Sequence, residues 1–172
     1  MEWQQLIISL FEGVFKTLEK ALAGLSKDEL NYQPNRDCNT IGWIAWHLAR
    51  TQDRFIANLN NNKQVWTDAE WYKKFNRSAD ANDTGFGHTS VEVSEFKSPD
   101  VSVLLGYYQA VLEKTTLYLS GLNSNDLNQK TVHPKFTTLG VWLGALLSDN
   151  IQHAGQIAYI RGLIKGKGWM DA

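Results

Sequence analysis

Asn39-Thr40-Ile41-Gly42-Trp43-Ile44-Ala45-Trp46-His47-Leu48-Ala49-Arg50 is an apolar helical pattern with one histidine set inside it. A second stretch, Asp149-Asn150-Ile151-Gln152-His153-Ala154-Gly155-Gln156, repeats the theme near the other end of the chain. There an aspartate precedes the histidine by four residues, so the two side chains share one helix face. Both stretches keep helical periodicity well beyond the quoted residues, and that periodicity decides the fold.

The pattern through Thr40 extends along Ile44, Leu48, Thr51, Phe55 and Leu59 and stops in the asparagine cluster Asn58, Asn60, Asn61 and Asn62. Before it, Trp3, Leu6, Ile7, Leu10, Phe11, Val14, Leu18 and Leu22 step by three and four, which predicts an amphipathic helix closed by Gly24. Ser26 and Glu29 have capping-box spacing for a short turn ending at Leu30. Ser98-Pro99-Asp100 reads as a cap with proline at the first helical position, opening a third helix that runs to Gly121. The fourth starts near Thr138 and runs through Leu143, Leu147, Asn150, Ala154, Ile157 and Ile164 to Gly166 and Gly168. No strand-like alternation competes. An all-α fold follows, a four-helix bundle.

The chain also echoes itself. Leu22 to Asn31 resembles Leu119 to Asn128, and Thr40-Ile41-Gly42-Trp43 answers Thr138-Leu139-Gly140-Val141. Two similar helix–turn–helix halves are the physical reading, and chance is the alternative for so short a match. Between the second and third helices lies a long connector, Asn62 to Lys97, carrying Trp66, Trp71, Tyr72, Phe75 and Phe86. That is too aromatic for a disordered linker. A helical turn is expected around Asp68 to Phe75, and the segment is either a lid or pocket wall, or a plug over the core.

Composition narrows the function classes. The 172 residues suit a single domain spanning 1–172. A net charge of -1 gives no basic footprint for nucleic acid. The longest apolar run, Leu139 to Leu147, falls far short of the ~20 residues a membrane helix needs. Met1-Glu2-Trp3 lacks a secretory layout, and the one cysteine, Cys38, fits a reducing compartment, so a cytoplasmic location is expected. Cys38 itself is expected to be an ordinary thiol. His88 and His133 are expected in solvated loops, although either could approach a site at the bundle mouth. The seven tryptophans favour interfaces and pocket walls as well as core.

Leu146, Asp149, His153, Gln156, Ile160 and Leu163 form one stripe, apolar at its ends and polar in its middle. Polar groups on a buried face cost several kcal/mol unless they are satisfied. With His47 on a facing helix, two imidazoles and a carboxylate would supply three ligands to a divalent ion and leave positions open. The same spacing also suits an Asp–His hydrogen bond with no ion.

The quoted segment Asn39 to Leu48 and His153-Ala154-Gly155-Gln156-Ile157 resemble the DinB-like superfamily, four-helix bundles related to damage-inducible proteins and thiol transferases. The resemblance extends to helix order, the long second connector and the C-terminal Gly168-Trp169. It implies a metal site of three histidines, one on the second helix and an HxxxH pair on the fourth. His47 matches the first and His153 the last, while Asp149 replaces the middle histidine. The implied cofactors are a divalent metal, Zn²⁺ or Ni²⁺, and a low-molecular-weight thiol. The implied activity is a thiol S-transferase acting on a small molecule, with Gln156, Arg161 and Trp43 as substrate-binding candidates. The alternative is a non-catalytic metal- or ligand-binding stress-response module that forms a homodimer.

Overall fold

A computed structural model describes residues 2–168, so Trp169 of the C-terminal resemblance lies outside the described residues. Helix α1 spans Trp3–Leu22 and buries Phe11, Val14, Leu18, Ala21 and Leu22. Leu6 and Leu10, members of the same apolar stripe, sit on its half-exposed flank. The one-turn helix α2, Lys27–Leu30, carries the expected capping box: Ser26 Oγ accepts from Glu29 N–H while the Glu29 carboxylate accepts from Ser26 N–H. Helix α3, Ile41–Leu59, starts where Thr40 Oγ1 accepts from Trp43 N–H at 3.2 Å. It is the most buried helix of the bundle.

The connector is folded. It contains α4 (Val65–Asp68), α5 (Trp71–Lys74) and α6 (Ser90–Glu95). The single turn expected around Asp68 to Phe75 is therefore two turns, broken at Glu70, whose φ of 53° lies in the left-handed region. The turn α6 is announced by a Thr89-x-x-Glu92 capping box that the pattern reading passed over. Val65, Trp66, Phe75, Val93 and Phe96 are buried in the main hydrophobic core.

Helix α7, Val101–Ser120, begins two residues later than Ser98-Pro99-Asp100 predicted. Ser98 is held elsewhere: its N–H donates to Asn31 Oδ1 at 2.9 Å and its side chain packs against Gly42, where a Cβ would approach within 2.4 Å. Asp100 becomes the N-cap and pairs with Lys27 at 3.3 Å. Helix α8, Leu139–Lys165, is the longest, about 40 Å at 1.5 Å per residue. Thr138 caps it as Thr40 caps α3. A 3₁₀ turn, Asp126–Asn128, stands before α8 where α2 stands before α3, so the two echoing segments have like local structures.

Helices α1 and α3 each pack on both α7 and α8. That arrangement, which periodicity left open, sets α3 and α8 side by side and brings His47 to the C-terminal half of the chain. Among the described residues there is no strand, and no helix is long and apolar enough to cross a membrane.

Candidate metal centre

Helical registry and the packing of α3 on α8 bring the three ligand-type side chains together. His47 lies on the α8-facing side of α3, and Asp149 and His153 are one turn apart on α8. The His47 and His153 rings meet edge to face with centroids 4.8 Å apart. One ligand atom from each of His47, Asp149 and His153 falls within 4.8 Å of the others. Two donors on one tetrahedral ion at bond lengths near 2.1 Å lie about 3.4 Å apart. Asp149 Oδ1 and His153 Nε2 are separated by 3.4 Å.

The far side of each imidazole is tied to an oxygen. His47 Nδ1 lies 2.5 Å from the backbone carbonyl of Thr84. A carbonyl only accepts, so Nδ1 carries the proton and Nε2 keeps its lone pair. His153 Nδ1 donates to Gln156 Oε1 at 2.9 Å, which again leaves Nε2 facing the shared space. Such partners fix the ring orientation and tautomer of metal-binding histidines.

Burial, aided by the neighbouring His153 and His88 and opposed by the Thr84 carbonyl and Asp149, pushes the His47 pKa down, which keeps it neutral. For His153 burial acts downward too, but hydrogen bonds to Asp149 and Gln156 outweigh it and raise the pKa. A proton on His153 Nε2 and a metal ion would therefore compete for one nitrogen. Asp149 Oδ2 is buried and has no hydrogen-bond partner among the described residues. A buried, unsatisfied carboxylate oxygen beside two imidazole nitrogens is a donor set that fits a divalent ion.

The connector's contribution is the Thr84 carbonyl, and α3 itself holds that segment in place. Arg50, one turn beyond His47, is fully buried and donates to Asp83 O at 3.1 Å and Ala81 O at 3.1 Å. Asp53 accepts from Val65 N–H and Trp66 N–H, both at 2.8 Å, capping α4. Gly85 follows Thr84 at φ +83°, against the rings of Trp43 and Trp46, where a Cβ would come within 2.7 Å. The segment has features of both readings: Val65, Trp66, Phe75, Val93 and Phe96 fill the core, while Thr84 and Phe86 face a cavity beside His47.

The profile of the DinB superfamily matches residues 10–157. The chain belongs to the DinB superfamily. Its fold is similar to that in a crystal structure of a conserved protein from Enterococcus faecalis, with a TM-score of 0.87 and 26% identity, covering 97% of this chain and 99% of that one. No curated protein matches the chain.

In this DinB-superfamily chain the three substrate-binding candidates have separate fates. Gln156 is at the centre, as the hydrogen-bond partner of His153. Trp43 stacks on the His47 ring at 4.8 Å and donates its indole N–H to His88 Nδ1 at 3.2 Å, so it is a buried support. Arg161 is placed elsewhere: it is buried and donates to Ala21 O at 2.9 Å and Ala23 O at 2.8 Å, satisfying the carbonyls that end α1. His88 is likewise no solvated loop residue, lying between Trp43 and Asp83. Cys38 is free and half-buried.

A cavity of about 540 Å³ opens beside His47 and Asp149. Its walls include Thr51, Arg54 and Phe55 of α3, Phe86 of the connector, His133 and Phe136 of the loop before α8, and Trp142 and Leu146 of α8. The His133 ring stacks on Phe136 at 4.5 Å, so this histidine also belongs to a wall. The helical pattern includes Thr51 and Phe55 as face residues but not Arg54, although all three follow His47 at helical spacing on the same face.

Proposed function

We propose that this DinB-superfamily chain is a divalent-metal-dependent enzyme that transfers a small thiol to an electrophilic substrate. Nε2 of His47, Nε2 of His153 and a carboxylate oxygen of Asp149 would hold the ion, and Zn²⁺ or Ni²⁺ suits two imidazoles and a carboxylate. The observation that carries this reading is the buried Asp149 Oδ2, without a partner among the described residues, next to two imidazoles whose outer nitrogens are already engaged. A divalent ion in such a site lowers the pKa of a thiol bound to it. Three protein ligands beside a cavity leave room for that thiol, which is the open-site pattern of catalytic rather than structural metals. Thr84 and Gln156 orient the two rings, and the aromatic wall around Phe55, Phe136 and Trp142 limits water. A single half-buried cysteine fits action in a reducing cytoplasm.

Metal content of the purified protein by elemental mass spectrometry, beside His47→Ala and His153→Ala, tests the site. Near-stoichiometric Zn²⁺ or Ni²⁺, lost in both variants, is expected, as is thiol transfer that disappears on chelation. An absence of metal in every sample, even after incubation with both ions, overturns the proposal.

A second reading is a homodimeric stress-response module that binds metal or a small ligand without catalysis. It draws on the outer face of α8, where Val141, Ile151 and Tyr159 are 50%, 48% and 70% exposed. Gly144, Ser148 and Gly155 fall between them at helical spacing, and small residues allow a second helix to approach closely. Ligand binding retained after metal stripping, in a dimer that Tyr159→Glu dissociates, would favour it.

A further inference from the structure

Every buried arginine of the bundle is used by the protein itself, Arg50 by the connector and Arg161 by the end of α1. Arg54 differs. It is half-buried on α3, lines the cavity beside the candidate metal centre, and its guanidinium has no hydrogen bond or ion pair among the described residues. It stands seven residues after His47, so about 10 Å further along the same helix. Phe55, Phe136 and Trp142 pack against one another on the wall, with Phe55–Trp142 and Phe136–Trp142 centroids 5.6 Å and 5.8 Å apart. Lys135, the other cation of the wall, is exposed. Phe86 stands at the rim, 90% exposed, between two glycines with φ of +83° and +85°.

We infer that this cavity binds an elongated apolar carboxylate, with its acid on Arg54 and its other end at His47 and Asp149. The inference rests on the proposed metal centre for what lies at that second end. The acid cannot sit comfortably beside Asp149, because two carboxylates at close range repel. One planar guanidinium with free N–H groups matches the two oxygens of a carboxylate, and a partly desolvated site strengthens the pair. Between the two polar ends the wall offers rings and Leu146. A chain of about eight carbons spans the distance, and a thiol at its far end would reach the proposed ion. The exposed Phe86 ring gains apolar contact by turning over such a ligand, and the glycines on either side give its backbone room to do so.

The test uses the full chain in two states. On metal-stripped protein, octanoate and methyl octanoate are titrated by calorimetry. On Zn²⁺-loaded protein, mercapto-octanoate and its methyl ester are titrated in the same way. The acid is expected to bind at least about tenfold more tightly than the ester in both states, as a charge-assisted hydrogen bond predicts. Arg54→Gln should remove that preference while leaving ester affinity and metal content within twofold, and Arg54→Lys should restore part of it. His153→Ala should remove the advantage of the thiol and leave the acid preference intact. Equal binding of acid and ester by the unaltered protein overturns the inference, as does a preference that survives Arg54→Gln. Loss of metal binding alone would count against the metal centre, because the octanoate arm still reads Arg54.

Discussion

Helix α3 carries two polar clusters one turn apart, and they are treated in opposite ways. Arg50 and Asp53 point toward α7 and the connector, where Gln64, Tyr107 and backbone groups of residues 65, 66, 81 and 83 meet nearly every donor and acceptor. His47 points toward α8, where the inner atoms of His47, Asp149 and His153 face one another, and Asp149 Oδ2 is unmatched among the described residues. The first cluster fixes the fold, because the Arg50 guanidinium and both Asp53 oxygens have partners. The second is left open on the side of a cavity, and a site is distinguished from a staple by that remainder.

Paired substitutions break the contrast most sharply. Asp53→Ala removes the acceptor of two backbone N–H groups and the Tyr107 hydroxyl and strands Arg50. It should lower the unfolding free energy by about 3–5 kcal/mol in denaturant titration. Asp149→Ala should leave the metal-free stability within about 0.5 kcal/mol and abolish tight metal binding. Comparable destabilisation by both would erase the distinction between the clusters.

Gly85→Ala tests the link between them. A side chain at φ +83° against Trp43 and Trp46 should cost about 1–3 kcal/mol. It should also weaken metal affinity by displacing the Thr84 carbonyl, read in a Zn²⁺ titration. Unchanged affinity would mean that this carbonyl does not orient His47. Gln156→Ala is expected to be milder, about ten- to hundredfold in metal affinity with little change in stability.

The smallest effect lies outside both clusters. The Lys165 ammonium, with the Ser26 N–H, holds the Glu29 carboxyl at about 2, below its ordinary 4.5. A depressed carboxylate adds stability that is present above the unfolded value and lost as pH falls through the folded one. Thermal melts should therefore show a decline between about pH 4.5 and pH 2 that Glu29→Gln flattens, with metal affinity at neutral pH untouched.

What could be read in advance follows from where the information resides. Ser26, Thr40 and Thr138 announce helix starts because capping is a local act of one side chain. His47, Asp149 and His153 stood out because polar ligand-type residues interrupt apolar faces. Thr84 gave no sign, since its contribution is a backbone oxygen that every residue type possesses. The cavity was equally hidden: Arg54 and Phe136 are far apart in sequence, and only the packing of α3 on α8 makes them neighbours. The partners of Arg161 are likewise hidden, because the carbonyls it satisfies lie at the end of α1, at the opposite end of the sequence.

The Thr84 carbonyl also bears on how the chain is made. His47 and the segment that orients it are synthesised well before α8, with about a hundred residues separating His47 from Asp149, or roughly 5–20 s of translation. Before Asp149 and His153 are made, the candidate site has only one of its three ligand side chains, His47. The proposed ion would find its three ligands assembled only once α8 has been made and has docked on α3.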